Sequence, residues 1–346
     1  MKKGNVIHKF PGSNTPDGFY SFYRAGLENM ERIFVLKGGP GTGKSTLMRR
    51  IACNLAERGY DVEMWQCSSD NESVDGVIAP ALKIAVVDGT APHVVDPVYP
   101  GAVDEIINLG DHWNRELLCC HKAEIIMLTK KISEKFNIAY ERLAEYKKQY
   151  DEFAENNSVG ESKITAFAND VIGEIFSDDL AKVSHFFASA ITPMGWKGYN
   201  QELSSSVKRR YVIGSGNRYD VDLFLHKVEE AAVLRGHDID IYHSTLAPDC
   251  YEMIVLPTIG YALVDGSAPE LEPLAVDVLV QLDEFDDEAH PWDEILTDAI
   301  HSIAAAKALH NDLEEYYIKA MKFDEIDSVC KKVFSEIWQM VDESEK

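Results

Sequence analysis

Apolar residues along the chain fall into two patterns that alternate. Short uninterrupted runs such as RIFVL at 32–36 are typical of strands buried on both faces, whereas residues 45–58 carry apolar side chains at helical spacing. Further strands are predicted at 61–67 and 83–88, with a helical segment between them. Strands that alternate with helices indicate an α/β fold whose parallel sheet is covered on both faces.

The same order of elements recurs later in the chain. Residues 5–93 align with residues 182–270 at a constant offset of 177 (182 − 5), without a gap. HKFPGSNTPDGF falls on HFFASAITPMGW, and KIAVVDGTAPH falls on GYALVDGSAPE. Because chance similarity rarely keeps register over such a length, an internal duplication is predicted; coincident turn chemistry in two α/β domains is the alternative. The second copy is expected to place a helix at 222–235 and strands at 238–244 and 260–265.

Each copy is followed by a long helical tail. In the first tail, apolar residues recur at steps of three, four or seven, and these are Leu118, Ile125, Leu128, Ile132, Phe136, Ala139, Leu143, Tyr146 and Tyr150. The polar stretch at 155–162 interrupts the helix, and a shorter helix is predicted to end near Phe176. The second tail, at 292–342, is similar. Such stripes are consistent with packing the two halves together, which we favour, or with binding a protein partner.

Composition sets broad limits on the class of protein. A length of 346 residues suits two domains, predicted here at 1–178 and 179–346. A formal net charge of −24 disfavours a surface that coats nucleic acid or an anionic membrane. Six scattered cysteines, no signal-peptide pattern and no uncharged run long enough to span a bilayer favour a cytoplasmic protein that is not in a membrane.

One segment of the first copy carries recognisable chemistry. GGPGTGKS at 38–45 satisfies the pattern G-x-x-x-x-G-K-[ST], and it lies between the strand and the helix that this motif requires. The glycines let successive backbone N–H groups point at phosphate oxygens, and the helix start favours an anion. Lys44 is expected to act in catalysis by bridging the β- and γ-phosphates, and Ser45 to hold Mg²⁺. The residues predicted to bind ATP are Gly38, Gly39, Pro40, Gly41, Thr42, Gly43, Lys44, Ser45 and Thr46.

Asp88 follows the apolar run that precedes DGTAPH. The end of such a strand lies at the edge of a parallel sheet where ligands bind, so Asp88 is predicted to be catalytic and to hold the metal ion through a water, beside the hydroxyl of Ser45. The second copy keeps this acid as Asp265, so a role in a turn is the alternative. His93 is replaced by Glu270 in the second copy, which is consistent either with a role in the site or with a structural histidine.

The second copy has lost the phosphate-binding residues. Gly43, Lys44 and Ser45 align with Asp220, Val221 and Asp222. Two acids repel a triphosphate, and valine cannot replace the lysine. The second half is therefore predicted to be a degenerate structural or regulatory copy, and the chain to bind one nucleotide.

The arrangement TPDGFYSFYR, RIFVLKGGPGTGKSTLMRRI, CSSDNESVDGVI and KIAVVDGTAPHVVDP resembles a family of uncharacterised bacterial P-loop ATPases built from two tandem P-loop halves. The resemblance covers essentially the whole chain, and its HxF…TPxG and DGTAPH signatures are more specific than the phosphate loop. It implies nucleotide binding by residues 38–46 and ATP hydrolysis. Relatives often carry a recognisable second loop, so the loss at 220–222 argues against a two-site alternating mechanism.

These observations predict a Mg²⁺-dependent P-loop nucleoside triphosphate hydrolase whose two α/β halves pair within one chain. One alternative is a small-molecule kinase in which Asp70 or Asp75 meets an acceptor hydroxyl. Another is a nucleotide-sensing switch with little turnover. Asp70 either orients a water or accepts a proton, or it caps a following helix, and we favour the cap. Arg218 would act as an arginine finger if it reached Lys44.

Overall fold

The computed structural model describes residues 3–92, 94–175, 182–283 and 293–344. These form two compact units, and each unit is assembled from separate stretches of the chain. Unit 1 comprises Met1–His8, Leu27–Asn137 and Ser302–Lys346, and unit 2 comprises Lys9–Gly26 and Ile138–His301.

The secondary structure in the described residues alternates as an α/β protein requires. In chain order the strands are β1 Val6–Lys9, β2 Gly12–Thr15, β3 Gly18–Ser21, β4 Arg32–Lys37, β5 Val62–Gln66, β6 Val74–Ala79, β7 Ile84–Asp88, β8 Asp104–Asn108, β9 Val183–Phe187, β10 Ser189–Thr192, β11 Gly195–Gly198, β12 Arg209–Gly214, β13 Ile239–Ser244, β14 Ala247–Leu256, β15 Tyr261–Asp265 and β16 Asp277–Gln281. The helices are α1 Tyr23–Gly26, α2 Lys44–Glu57, α3 Arg115–Cys120, α4 Lys122–Asn156, α5 Glu161–Ile175, α6 Asn200–Ser204, α7 Arg218–Leu234, α8 Asp293–Ala320 and α9 Phe323–Ser344.

The main sheet of unit 1 has six strands in the order β1-β5-β6-β7-β4-β8. Strand β4 pairs in parallel with β7 and β8, but β6 runs antiparallel to both of its neighbours. The prediction of a parallel sheet is therefore wrong for β6, and the helical segment predicted before β7 is mostly this strand. Residues 67–73 alone join β5 to β6, and a connection of this length permits an antiparallel pair but is too short for a parallel crossover.

The main sheet of unit 2 repeats this topology. Its order, β9-β13-β14-β15-β12-β16, is that of unit 1 when each strand is replaced by its counterpart in the second copy. Strand β14 is antiparallel to β13 and β15, as β6 is in unit 1, and β12 is parallel to β15 and β16. The repeat found in the sequence therefore also appears as a repeat of strand order and direction.

The two Thr-Pro-x-Gly segments form matching hairpins, β2–β3 and β10–β11, both in unit 2. In each hairpin the threonine hydroxyl donates to the glycine carbonyl at 2.8 Å, for Thr15 to Gly18 and for Thr192 to Gly195. Both glycines have positive φ, 95° and 107°, a conformation that side chains with a Cβ rarely adopt. The predicted reverse turns are confirmed.

The first tail is helical where its apolar periodicity predicts a helix. Helix α4 runs for 35 residues and buries Leu128, Ala139, Leu143, Tyr146 and Tyr150 of the predicted stripe. The predicted interruption is confirmed, because α4 ends at Asn156 and α5 begins at Glu161. Despite these lengths, no helix in the described ranges is both long and apolar enough to cross a lipid bilayer.

The end of each tail joins the hydrophobic core that the other copy provides. In unit 1 the residues of α9 that join the core with β4 and α2 are Ile326, Cys330, Val333, Ile337 and Val341. In unit 2 Ile164, Ala168 and Val171 of α5 join the core with α7. The compact units consequently have boundaries that differ from those predicted at 1–178 and 179–346, since each apolar helix face is buried where a complementary sheet face is available.

Candidate nucleotide-binding site

Residues 38–43 form the loop that leads from β4 into α2. Gly41 and Gly43 have positive φ, 69° and 88°, so the loop bends through a backbone conformation that favours glycine. Gly43 is the residue that precedes α2, and no side chain among the described residues caps it. Because the first amides of a helix have no partner within the helix, such a start is suited to bind an anion.

Lys44 is almost buried, with 9% of its surface exposed. Its ammonium donates to the carbonyl oxygens of Gly38 at 2.8 Å and Gly39 at 2.9 Å. Asp88 Oδ2 lies 3.5 Å from the same nitrogen. The structure thus brings together the predicted lysine, at the start of α2, and the predicted aspartate, at the end of β7.

The two hydroxyl residues that follow Lys44 differ in environment. Ser45 is partly buried, and its Oγ accepts a hydrogen bond from the backbone N–H of Val74 at 3.0 Å. Its hydroxyl proton and a second lone pair remain for other partners. Thr46 is exposed. Ser45 therefore connects the start of α2 to the start of β6 and can also offer oxygen to a metal ion.

Asp88 forms a turn as well as facing Lys44. Its Oδ1 accepts from the backbone N–H of Thr90 at 2.8 Å, and the Thr90 hydroxyl donates to Gly38 O at 3.0 Å. In the second copy, Asp265 Oδ1 accepts in the same way from Ser267 N at 2.8 Å. Both copies therefore use the aspartate to form this turn. At Asp88 the carboxylate also lies close to a lysine, Lys44.

The oxygens near Lys44 fit a hard cation. Mg²⁺ in nucleotide sites usually takes one or two protein oxygens and completes its shell with phosphates and waters. Ser45 Oγ and the Asp88 carboxylate are oxygen donors of that kind. In the described part of the chain no group of three or more His, Cys, Asp or Glu forms a metal cage by itself. Ser45 and Asp88 would supply the protein oxygens if Mg²⁺ were bound here.

Helix α8 packs against the phosphate loop, an arrangement that the sequence analysis did not foresee. A Cβ built on Gly39 would lie 2.8 Å from Tyr317 Cε1, and one built on Gly41 would lie 2.6 Å from Ile318 Cγ1. Both glycines therefore allow close approach of the helix. Apolar periodicity in the second tail predicts this helix, but it does not predict which surface the helix covers.

The same helix supplies a charged partner to Asp70. Lys307 Nζ donates to Asp70 Oδ2 at 2.5 Å, and the Ser73 hydroxyl donates to the same oxygen at 2.8 Å. Burial raises the pKa of Asp70, but the hydrogen bonds from Lys307 and Ser73 outweigh it, so the pKa lies below its ordinary value. Asp70 was predicted to cap a helix; that interpretation is wrong, because strand β6 follows.

His310 lies one helical turn from Lys307. Burial, followed by the positive charge of Lys307, lowers its pKa, and Lys44 contributes in the same direction. The imidazole is therefore neutral near pH 7.

Asp75, the other acid proposed for a kinase, is buried within β6 with 4% exposure. His93 lies outside the described residues.

The corresponding loop of the second copy has a different structure. Residues 215–217 alone join β12 to α7, so this loop has three residues where the phosphate loop has six. Asn217 caps α7 by accepting from Tyr219 N at 3.0 Å, and its amide donates to Ala154 O. A side chain thus occupies the helix start that a phosphate would need.

The three substituted positions all have structural roles in unit 2. Asp220 accepts from Ser158 Oγ at 2.8 Å and Val159 N at 2.7 Å, which ties it to the first tail. Val221 is fully buried in the core, and Asp222 Oδ1 accepts from Tyr251 N at 2.7 Å. Asp220 and Asp222 therefore accept hydrogen bonds from backbone and hydroxyl donors of unit 2. This structural role does not involve a phosphate.

Arg218 is engaged by the first tail. Its guanidinium carbon lies 4.2 Å from the centroid of the Tyr150 ring, and its backbone N–H donates to Tyr150 Oη at 2.6 Å. Both contacts are within unit 2. The role of Arg218 as an arginine finger near Lys44 stays a prediction.

Comparisons of the chain with protein-family models, with curated proteins and with solved structures gave no match. The resemblance to tandem P-loop ATPases consequently stays a prediction from the sequence.

Proposed function

We propose that the chain is a Mg²⁺-dependent nucleotide-binding protein and ATPase with a single nucleotide site at residues 38–46. The observation that supports this most directly is the placement of Lys44. Its ammonium lies among the Gly38 and Gly39 carbonyls, 3.5 Å from Asp88, at the start of a helix that no described side chain caps. The aligned Val221 is buried in an apolar core instead.

Each residue has a separate task in this proposal. The amides at the start of α2 bind phosphate oxygens, and Lys44 exchanges its carbonyl partners for the β- and γ-phosphates. Ser45 and Asp88 hold the metal ion, which when bound neutralises charge on the phosphates. Since the helix start contributes preorganised donors, the loop needs little rearrangement to bind the anion.

Calorimetry of ATP and GTP with Mg²⁺ tests the proposal. Wild type should bind about one nucleotide per chain, and Lys44→Ala should abolish detectable binding because it removes the cation of the loop. Arg49→Ala is the matched control, since Arg49 is an exposed cation on the same helix. Two equivalent ligands per chain, or undiminished binding by Lys44→Ala, would contradict the proposal.

A second candidate, a nucleotide-sensing switch with little turnover, is favoured by the contact of Tyr317 and Ile318 with the phosphate loop. Because α8 packs on Gly39 and Gly41, a change of loop conformation on nucleotide binding would be transmitted to this helix. Hydrogen exchange measured with and without Mg·ATP would show altered protection in α8. Tight binding with that response and no phosphate release would identify a switch, whereas steady phosphate release would identify an ATPase.

A further inference from the structure

One face of α8 combines charged residues with the contacts that cover the phosphate loop. Lys307, His310 and Glu314 follow one another at steps of three and four residues, and Tyr317 and Ile318 continue the same face. Tyr317 and Ile318 pack on Gly39 and Gly41, and Glu314 also approaches Gly41. Because the face is continuous, Lys307 and His310 are directed to the same side of unit 1 as the loop.

A short chain of contacts connects Lys307 to the residue expected to hold the metal ion. Lys307 Nζ lies 2.5 Å from Asp70 Oδ2, and Asp70 Oδ2 lies 2.8 Å from Ser73 Oγ. The next residue, Val74, donates its N–H to Ser45 Oγ at 3.0 Å. The contacts from the ammonium to the Ser45 hydroxyl therefore run through the side chains of Asp70 and Ser73 and then through the backbone N–H of Val74.

The charges on this face are suited to a third phosphate. Charge on a transferring γ-phosphoryl group spreads over three oxygens, and phosphate-transfer enzymes use a cation besides the loop lysine to stabilise it. In the described part of the chain the ion-pair partner of Lys307 is the carboxylate of Asp70, and burial together with the charge of Lys307 lowers the pKa of the neighbouring His310. Glu314 carries a negative charge at the other end of this face, so the γ-phosphate is assigned to the Lys307 end.

We propose that Lys307, carried by the second tail, contacts the γ-phosphate of the nucleotide and that Asp70 positions it for that contact. This inference rests on the proposed nucleotide site. It assigns the second tail a direct role in distinguishing a triphosphate from a diphosphate. The cation would come from the same chain, from a residue more than 200 positions after the phosphate loop (307 − 44 = 263).

The test compares the affinities of Mg·ATP and Mg·ADP by calorimetry. Lys307→Met keeps the length and apolar stem of the side chain and removes its charge. It should weaken ATP binding about tenfold, the equivalent of one charge-assisted hydrogen bond, while ADP binding stays within about twofold. Lys307→Arg should restore the preference for ATP. Lys319→Ala, which removes an exposed cation of the same helix, is the control and should leave both affinities unchanged.

The outcomes separate the inference from the proposed function. If Lys307→Met keeps the wild-type ratio of ATP to ADP affinity while Lys44→Ala abolishes binding, the role of Lys307 is wrong and the nucleotide site stands. If Lys307→Met weakens ATP and ADP equally, the residue acts in folding of the site and the inference is also wrong. If wild type binds neither nucleotide, both proposals are overturned.

Discussion

Phe10 and Phe187, which are 177 positions apart, exchange both of their backbone hydrogen bonds. Phe10 N donates to Phe187 O at 3.1 Å, and Phe187 N donates to Phe10 O at 3.0 Å. Asn14 and Ile191 have the same separation, and the Asn14 amide donates to Ile191 O. Reciprocal contacts between equivalent residues are what a two-fold relation produces at its axis, so the two hairpin segments of unit 2 meet as an internal counterpart of an isologous interface.

This contact should contribute strongly to the stability of unit 2. Phe187 is fully buried, so Phe187→Ala should lower the free energy of unfolding by about 3–5 kcal/mol through lost burial and the cavity that remains. Urea denaturation followed by circular dichroism measures the change. Phe323→Ala, at a residue with 45% exposure, is the control. Equal effects of the two substitutions would show that burial of the Phe187 side chain at this contact is not important for stability.

Replacing the valine of the second loop by lysine should not create a nucleotide site. Val221 is fully buried, and the loop before it is three residues shorter than the phosphate loop. Val221→Lys should leave the number of bound nucleotides unchanged and should destabilise the chain by several kcal/mol, because it buries an unpaired charge. Leu234→Lys, on the same helix at an exposed position, should change stability by no more than about 0.5 kcal/mol. A second bound nucleotide in Val221→Lys would contradict this expectation.

The two roles of Asp88 can be separated by comparing the copies. Asn retains the Oδ1 that accepts from Thr90, so Asp88→Asn preserves the turn and removes the negative charge. We expect this variant to lose most of the increase in ATP affinity that Mg²⁺ provides, on the order of tenfold. Asp265→Asn makes the same change in the second copy and should retain the Mg²⁺ effect. Titration of Mg²⁺ at fixed ATP measures both, and equal responses would assign Asp88 to the turn alone.

Glu252 should make the stability of the chain depend on pH. It is buried, its Oε2 accepts from Ser189, and its Oε1 has no hydrogen-bond partner among the described residues. Burial raises its pKa to about 7 from 4.5. In that window the folded chain holds a proton that the unfolded chain has released, so this group's contribution to stability falls as pH rises from about 4.5 to about 7.

The substitution Glu252→Gln isolates this effect. We compare the free energy of unfolding of Glu252→Gln with that of wild type at each pH. The variant should gain roughly 2–3 kcal/mol relative to wild type between pH 4.5 and pH 8, because glutamine needs no proton to stay neutral. Urea denaturation at several pH values measures it. Glu230→Gln, at an exposed acid, should give a flat difference. A flat difference for Glu252→Gln as well would mean that the carboxyl is not protonated in the folded chain.

Much of the local structure could be predicted because neighbouring residues determine it. The spacing of apolar residues predicted α2 and α4, and uninterrupted runs predicted β4 and β7. Strand β6 was not recognised because its sequence, VDGVIA, is buried at every position and so has no alternation that would distinguish a strand from a helix. Its direction follows from the short connection to β5, which is a matter of chain geometry.

By itself the sequence determined the duplication, the phosphate-loop motif and the loss of that motif in the second copy, since each of these is a pattern of adjacent residues. Only the tertiary structure decided where the tails pack and which side chains they bring to the loop. The pair Asp70–Lys307 joins residues 237 positions apart, and no local pattern encodes such a contact. It depends on which surface the apolar face of each helix packs against. The burial of apolar area over the whole unit determines that packing.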